Sequence, residues 1–269
     1  SATKDAAKAA SDVGQNCVTS ALNKDFSSVN SNNKTVKALN DRFAGLKDRT
    51  SSLVSSYFAE SVDMKNKTAA ITGIGGIIKS TSGNVTVEAS ETSTVNAVAG
   101  QAGGAGVTVG VSVNCITLKG TTEAKVLSDI TSAKDINIKA ENNVNLGRLI
   151  SFGGNAGLYA AACGAVLYTD ISGSNSAAAE GTITSLNNGR LSVTADQNVH
   201  QTEDGSYLAV APAVAVGGAV GAPVAILYAK ASNTASSEGT VKKLSEVNIT
   251  ADTDMQLNPQ TVGVTVGLG

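Results

Sequence analysis

A short alternating segment recurs four times along this chain, and its regular spacing constrains the fold more than any other feature of the sequence. In each copy aliphatic residues alternate with polar ones over six residues, as expected of a half-buried β-strand. The alanines that end the four copies are 51, 55 and 56 residues apart. Near-constant recurrence of one unit is the signature of a repeat architecture. The copies are Asn84–Ala89, Asp135–Ala140, Arg190–Ala195 and Glu246–Ala251.

The composition indicates how such repeats would pack. Aromatic residues make up 3% of the chain, whereas alanine, valine and glycine dominate its hydrophobic content. A core of many small side chains suits thin stacked layers better than a globule with large anchors. We therefore predict a mainly β fold, a stacked β-solenoid (β-helix-like) built from repeats of 51–56 residues. Because this length is about twice that of a usual β-helix coil, we expect two coils per repeat.

Residues 1–60 differ from the rest of the chain. The segment 2–22 is rich in alanine with a narrow apolar stripe, and a second stripe holds an alternating three, four spacing over three heptads. Such spacing is typical of helices that pack lengthwise on a partner. We predict an N-terminal α-helical hairpin over 1–60, serving as a cap, an insertion or a docking arm, and a repeat-built β-solenoid over 61–269. The second stripe consists of Val36, Leu39, Phe43, Leu46, Thr50, Leu53 and Tyr57.

Three long apolar blocks without a single charge separate the four copies of the alternating segment, which we call the marker strands. They are Val95–Leu118, Leu149–Tyr168 and Ser206–Ala229, and by length alone the first and third could cross a membrane as helices. Glycine pairs, Pro212 and Pro223 interrupt them, and stretches of period-2 alternation favour strands instead. We predict strands in the solenoid wall and keep a membrane-active hairpin as an alternative.

The repeat unit also resembles a known family. Its parts are a Gly-rich apolar run (Val95–Gly106), a strand of the type S-V-x-V-N (Gly110–Asn114) and the pattern N-x-x-T-x-A-x-I/V (Lys65–Ile71 and Thr121–Val126). Over residues 62–269 the chain resembles leukotoxin-type filamentous adhesins, filamentous-haemagglutinin-like repeat proteins of anaerobic Gram-negative bacteria. The resemblance implies an extracellular β-solenoid that acts by adhesion or, in some members, by damaging host cells. It implies no catalytic residue.

Residues with potential chemistry are few, and we predict no catalytic, cofactor-binding or metal site. His200 is the only histidine, and it lies in a polar stretch where Glu203 and Asp204 precede a glycine, as in a turn. Glu180–Thr182 and Glu238–Thr240 occupy equivalent places in two copies. Because an active site needs to occur only once, repetition favours a structural turn.

The cysteines and the charges exclude further classes. Cys17, Cys115 and Cys163 have no metal-ligand spacing, so we expect small buried hydrophobes and leave open one intermolecular bridge. The net charge is −2 without a cluster of Lys and Arg, which argues against a nucleic-acid partner. We expect no small-molecule substrate and no enzymatic activity.

These features together predict an extracellular structural or adhesive protein of the bacterial cell surface. It would be a segment of a filamentous adhesin or a filament subunit, with neighbouring subunits, the rest of a longer chain, or host or bacterial surface molecules as partners. One alternative is a self-assembling filament or sheath subunit, in which the charge-free run Thr261–Gly269 adds a strand to its neighbour. The other is a membrane-active, leukotoxin-like segment.

Overall fold

The computed structural model describes residues 53–267, and these residues form β-strands joined by short turns. None of them is helical, so none lies in a helix long and apolar enough to cross a membrane. The apolar blocks therefore form strands, as predicted. The strands are β1 (Leu53–Ile71), β2 (Ile77–Ser80), β3 (Val85–Val126), β4 (Asp129–Ser132), β5 (Ile136–Ala179), β6 (Ile183–Ser185), β7 (Arg190–Ala215), β8 (Ala219–Ser237), β9 (Val241–Lys242), β10 (Glu246–Gln256) and β11 (Pro259–Gly267).

The four marker strands lie side by side in one parallel sheet. Ala89 pairs with Ala140, Ala140 with Ala195, and Ala195 with Ala251. The chain thus returns to the neighbouring strand position after one marker interval, and we call that stretch a circuit. Because each interval contributes a single circuit, the expectation of two coils per interval is wrong.

Each long circuit folds back on itself into two walls that face one another. In the third circuit the fold-back is a break: β7 ends at Ala215, β8 begins at Ala219, and the two strands pair with different halves of β5. In the first complete circuit, Asn114 Nδ2 donates to the carbonyl of Ala97 at 2.9 Å across the interior. The first wall comprises 85–105, 136–157, β7, β10 and β11, and the second wall comprises β1, 107–126, 160–179 and β8.

A narrow sheet closes the circuits at the edge opposite the fold-back. Its strands run in the order β2-β4-β6-β9, all parallel. Side chains of one circuit hold the backbone of the next: Asp129 Oδ1 accepts from Thr182 N at 2.8 Å, and Asp135 Oδ1 accepts from Arg190 N at 2.9 Å. Such bonds satisfy turn amides that have no strand partner.

Two apolar clusters fill the space between the walls. One lies near the fold-back and centres on Leu149, Leu167 and Tyr207. The other lies near the narrow sheet and centres on Ile138 and Val193. Since the described circuits stack these side chains on one another, burial of small aliphatic groups is the main stabilising contribution.

Buried amides interrupt the apolar interior, and glycines stand opposite them. Asn142 and Gln197 are almost fully buried. A Cβ at Gly120 would contact the amide of Asn142, and one at Gly173 would contact the amide of Gln197. The absence of a side chain at these glycines makes room for the amides.

The N-terminal prediction is partly wrong. Leu53 and Tyr57, the last two positions of the predicted helical stripe, lie in β1, which pairs in parallel with β3 from Val107 onward. Strand pairing overrides the three, four spacing there, because the segment is also rich in β-branched and aromatic residues. The strand region thus begins eight residues before the predicted boundary at 61. The rest of the predicted hairpin, and Cys17, lie outside the described residues.

Candidate functional surfaces

The outer face of the first wall carries columns of polar side chains. Five alternate positions per strand point outward, and parallel pairing places equivalent positions of successive circuits next to each other. Most of these side chains are short and hydrogen-bonding, and their arrangement repeats regularly from circuit to circuit. The columns are Thr86, Asn137, Ser192 and Asn248; Glu88, Lys139, Thr194 and Thr250; Ser90, Glu141, Asp196 and Asp252; Thr92, Asn143, Asn198 and Asp254; and Thr94, Asn145, His200 and Gln256.

Hydrogen bonds run along and between these columns. Asn198 Nδ2 donates to Asn143 Oδ1 at 2.8 Å. Lys139 Nζ donates to Glu141 Oε2, also at 2.8 Å. This bond raises the pKa of Lys139 and lowers the pKa of Glu141. Asp196 has the opposite shift: burial raises its pKa, and the charges of Glu141 and Asp252 add to the effect against the opposing charge of Lys139.

The raised pKa of Asp196 makes a pH-dependent prediction. A carboxyl with a higher pKa in the folded state binds its proton more tightly when folded, so its ionised form destabilises the fold. This cost is present above the folded pKa and disappears as the pH falls through that pKa toward the lower unfolded value. Asp196→Asn should raise the free energy of unfolding at pH 7 by less than about 1 kcal/mol, and with it the melting temperature, since the Asp196 carboxyl is only partly buried.

Thermal unfolding of Asp196→Asn at pH 7 and at pH 3 measures this effect. The gain should vanish at pH 3, where aspartate is protonated in both states. Thr194→Asn, two residues away on the same outer face, replaces one uncharged side chain by another; it is the matched control and should show no pH-dependent difference. A lower melting temperature for Asp196→Asn at pH 7 would contradict the argument.

The histidine and the acids after it lie at an irregularity of the first wall. His200 Nε2 is 3.3 Å from Asp254 Oδ2, which belongs to the next circuit. Pairing between β5 and β7 resumes only at Ser206, so 202–205 form a bulge opposite Gly147. The predicted turn at Glu203 and Asp204 is therefore a bulge within a strand. Within residues 53–267, His200 and Asp254 belong to no group of three or more His, Cys, Asp or Glu side chains that could hold a metal ion.

The repeated Glu-Gly-Thr segments lie where the second wall turns into the narrow sheet. In both, consecutive amides donate to one carbonyl of the preceding circuit: Glu180 and Gly181 to Val126, and Glu238 and Gly239 to Ala179. Equivalent bonds at equivalent places confirm a turn that is repeated for structural reasons.

The described cysteines are free thiols inside the second wall. Cys163 is buried, and burial raises its pKa to about 12. Cys115 is half-buried, and burial together with the charge of Asp170 raises its pKa to about 11. These environments agree with the interpretation of Cys115 and Cys163 as small packed side chains.

The thiol environments predict low reactivity. At pH 8 a thiol with a pKa of about 11 is ionised to about one part in a thousand, so Cys115 should react with iodoacetamide about 100-fold more slowly than in the urea-unfolded chain. Cys163, with a pKa of about 12, should be slower still by about a further tenfold. Mass spectrometry of a Cys17→Ser variant over time measures both sites. Equal rates in folded and unfolded protein would contradict the assignment.

The fold-back edge is apolar and uncharged on its surface. A shallow groove of about 500 Å³ runs across it, lined by 104–106, 156–158 and 214–216. Leu158 and Tyr159 project here with 65% and 53% of their surface exposed. The absence of charge at this edge can be read from the sequence, because the edge is formed by the middle of the charge-free blocks. What sequence reasoning missed is that the middle of each block lies at the surface.

The last described circuit leaves strand edges and apolar side chains uncovered. β10 and β11 pair only with β7 among the described strands, and β8 pairs with β5. Val247, Ile249 and Val264 have exposed fractions of 42%, 47% and 48%, although Ile249 continues an interior column. An uncovered parallel edge of this kind is a template for a further strand.

Comparison of the chain with family models, with curated proteins and with solved structures finds no match. The function must therefore be argued from the surfaces described above.

Proposed function

We propose that this chain is a β-solenoid segment with an extracellular structural or adhesive role at a bacterial surface. The observation that carries the proposal is the set of in-register polar columns on the outer face of the first wall. Parallel stacking repeats the same contact position in each circuit, so weak contacts add along the stack. The sequence resemblance to filamentous adhesins supports the same role.

In this proposal each circuit is one flattened coil with two walls and a narrow edge. Each wall of about 20 residues would be about 65 Å long, and neighbouring circuits would lie about 4.8 Å apart. A stack of circuits with this shape suits display of a surface better than enclosure of a substrate. The leading partner is a host or bacterial surface molecule that contacts several circuits at once.

Binding of the fluorescently labelled chain to epithelial-cell monolayers tests the adhesive role. We expect saturable binding that falls at least tenfold in an Asn143→Lys/Asn198→Lys variant, because two neighbouring lysines replace the hydrogen-bonded amides of one column with long, like-charged side chains. Thr121→Lys, at an exposed position of the second wall, is the control and should bind normally. Absence of saturable binding, or equal loss in both variants, would contradict the proposal.

A second candidate is a self-assembling filament or sheath subunit. It is favoured by the uncovered edges of β10 and β11 and by the exposed aliphatic side chains of the last circuit. Strand addition by another copy would continue the parallel sheet and cover these groups. Negative-stain electron microscopy should show filaments that disappear when 261–269 are deleted; filaments that persist after the deletion would exclude this mechanism. Their disruption by reductant would assign a cysteine to the joint.

A third candidate is a membrane-active segment, favoured by the uncharged fold-back edge with exposed Leu158 and Tyr159. Aromatic and aliphatic side chains at such an edge would enter the lipid interface. Release of dye from phosphatidylcholine vesicles should then require both residues. Equal release by a Leu158→Ser/Tyr159→Ser variant, or no release by the unchanged chain, would exclude it.

A further inference from the structure

A layer of polar side chains crosses the interior between the two apolar clusters. On the first wall its members follow the final alanines of the marker strands by two residues, so they point inward as those alanines do. The alanines of the first three marker strands belong to one cluster, whereas Val144 and Val199, two residues beyond the layer, belong to the other. We define the interior polar layer as the second-wall residues that face this column together with the column itself, which consists of Glu91, Asn142, Gln197 and Thr253.

Direct hydrogen bonds join the two walls at both ends of the interior polar layer. Toward the N-terminal side of the stack, Thr68 Oγ1 donates to Glu91 Oε2 at 3.0 Å. Toward the other side, Asn233 Nδ2 donates to Thr253 Oγ1 at 2.6 Å. Gln197 lies between these ends and is 1% exposed, yet neither atom of its amide has a hydrogen-bond partner among residues 53–267. Because buried amides in proteins are nearly always hydrogen-bonded, this position requires a partner of another kind.

The opposite wall offers Gln197 no side chain with which to bond. Gly173 lies against the Gln197 amide, so closely that a Cβ at Gly173 would overlap it. A glycine carries no side-chain donor or acceptor. Gln197 therefore cannot be satisfied from the second wall in the way that Glu91 and Thr253 are.

A cavity of about 10 Å³ lies within the same layer. Its lining includes Asn142 and Gln197 from the first wall and Gly120 from the second wall, with Asn66 and Glu91 toward the N-terminal side of the stack. This volume is about the space that one water molecule needs. Cavities that stay dry in proteins are apolar, whereas a cavity beside an amide without a protein partner is polar enough to hold water.

We propose that this cavity binds one ordered water molecule, which hydrogen-bonds the amide of Gln197. The amide presents a donor, Nε2, and an acceptor, Oε1, and neither is paired within residues 53–267. Water both donates and accepts, so it can bond either atom and still reach a second polar group of the lining. The water thus supplies at Gln197 what side chains of the second wall supply at the two ends of the layer.

The chemistry of the lining favours water over an ion. A cation would leave Nε2 of Gln197 unpaired, and residues 53–267 contain no group of three or more His, Cys, Asp or Glu side chains that could hold a metal ion. An anion would be repelled by the carboxylate of Glu91, which already accepts from Thr68 Oγ1 and Ser93 Oγ. The site lies inside the circuits, so the inference does not depend on whether the protein is adhesive.

High-resolution crystallography of the full chain, with crystals soaked in rubidium chloride, tests the site directly. We expect one peak of electron density in the cavity, about 2.7–3.2 Å from Oε1 or Nε2 of Gln197, without anomalous scattering at the rubidium edge. A cavity without electron density would overturn the proposal. An anomalous peak would also overturn it, because the ligand would then be a monovalent cation.

Oxygen-17 magnetic relaxation dispersion tests the same site in solution, because it counts the water molecules that stay bound while the protein tumbles. We expect Gln197→Met to lose one such water relative to the unchanged chain, since methionine has a similar length but no amide. Gln260→Met, at an exposed position of β11, is the matched control and should lose none.

Circular dichroism of both variants shows whether they fold. An equal number of long-lived waters in a folded Gln197→Met variant and in the unchanged chain would contradict the assignment. If Gln197→Met does not fold, the crystallographic measurement on the unchanged chain decides.

Discussion

Gly181→Ala is expected to lower the free energy of unfolding by about 3 kcal/mol, although it adds only one methyl group. A Cβ at Gly181 would overlap the backbone carbonyl of Ser128 in the preceding circuit. That carbonyl belongs to the turn where Gly181 N donates to Val126 O at 3.1 Å. Backbone cannot move aside as a flexible side chain can, so the circuits would have to separate locally.

The control for this prediction is Gly73→Ala. Gly73 follows β1 at the corresponding turn two circuits earlier, but a Cβ there would have no atom within 4 Å. Neither glycine has a positive φ, so the comparison isolates steric overlap from backbone preference. Urea unfolding followed by circular dichroism measures both. Equal stability of Gly181→Ala and Gly73→Ala would mean that close stacking of the turns does not limit this fold.

The marker strands were predictable because two independent signals coincide in them. Alternation of aliphatic and polar residues predicts strands, and the regular interval predicts which strands neighbour each other. Ala89, Ala140 and Ala195 pair in the structure as the interval requires. Sequence reasoning therefore identified both the strand type and the order of these segments.

The path between the markers was less predictable. The repeat interval predicts how many residues separate two neighbouring marker strands. It does not predict how many times the chain bends between them. The fold-back near 103–106 follows from a glycine-rich run within a block that otherwise alternates as a strand. For the same reason, the choice between helix and strand failed at Leu53 and Tyr57, where apolar residues fit both periods.

The candidate surfaces depend on which face of the sheet each side chain occupies, and the sequence indicates this only in part. The polar columns required knowledge of the register, because residues such as Asn143 and Asn198 are 55 positions apart. The two faces of the second wall look alike in the sequence, since small residues alternate on both. Once Asn114 is placed in the interior, period-2 geometry gives the direction of its strand neighbours.

The interior amides offer the second prediction with a large effect. Gln197 is 1% exposed, and neither atom of its amide has a hydrogen-bond partner among the described residues. Its side chain fits because Gly173 faces it, and a Cβ at Gly173 would overlap the amide. Gly173→Ala should therefore destabilise the fold by about 2 kcal/mol, since the buried amide has little room to move.

Combining Gly173→Ala with Gln197→Ala should recover much of that loss. Removing the amide makes space for the new methyl group and also removes a buried polar group without a protein partner, which costs about 1–3 kcal/mol when left unsatisfied. A double-mutant cycle from urea unfolding should give a coupling energy of about 1–2 kcal/mol. The control cycle pairs Gln197→Ala with Gly110→Ala, whose new Cβ would contact the amide of Gln101 instead, and it should be additive within about 0.5 kcal/mol. Additivity in both cycles would refute the idea that Gly173 makes room for the Gln197 amide. Coupling confined to the cycle with Gly173 is the expected result, and it would show that a glycine in one circuit accommodates a buried amide in the interior.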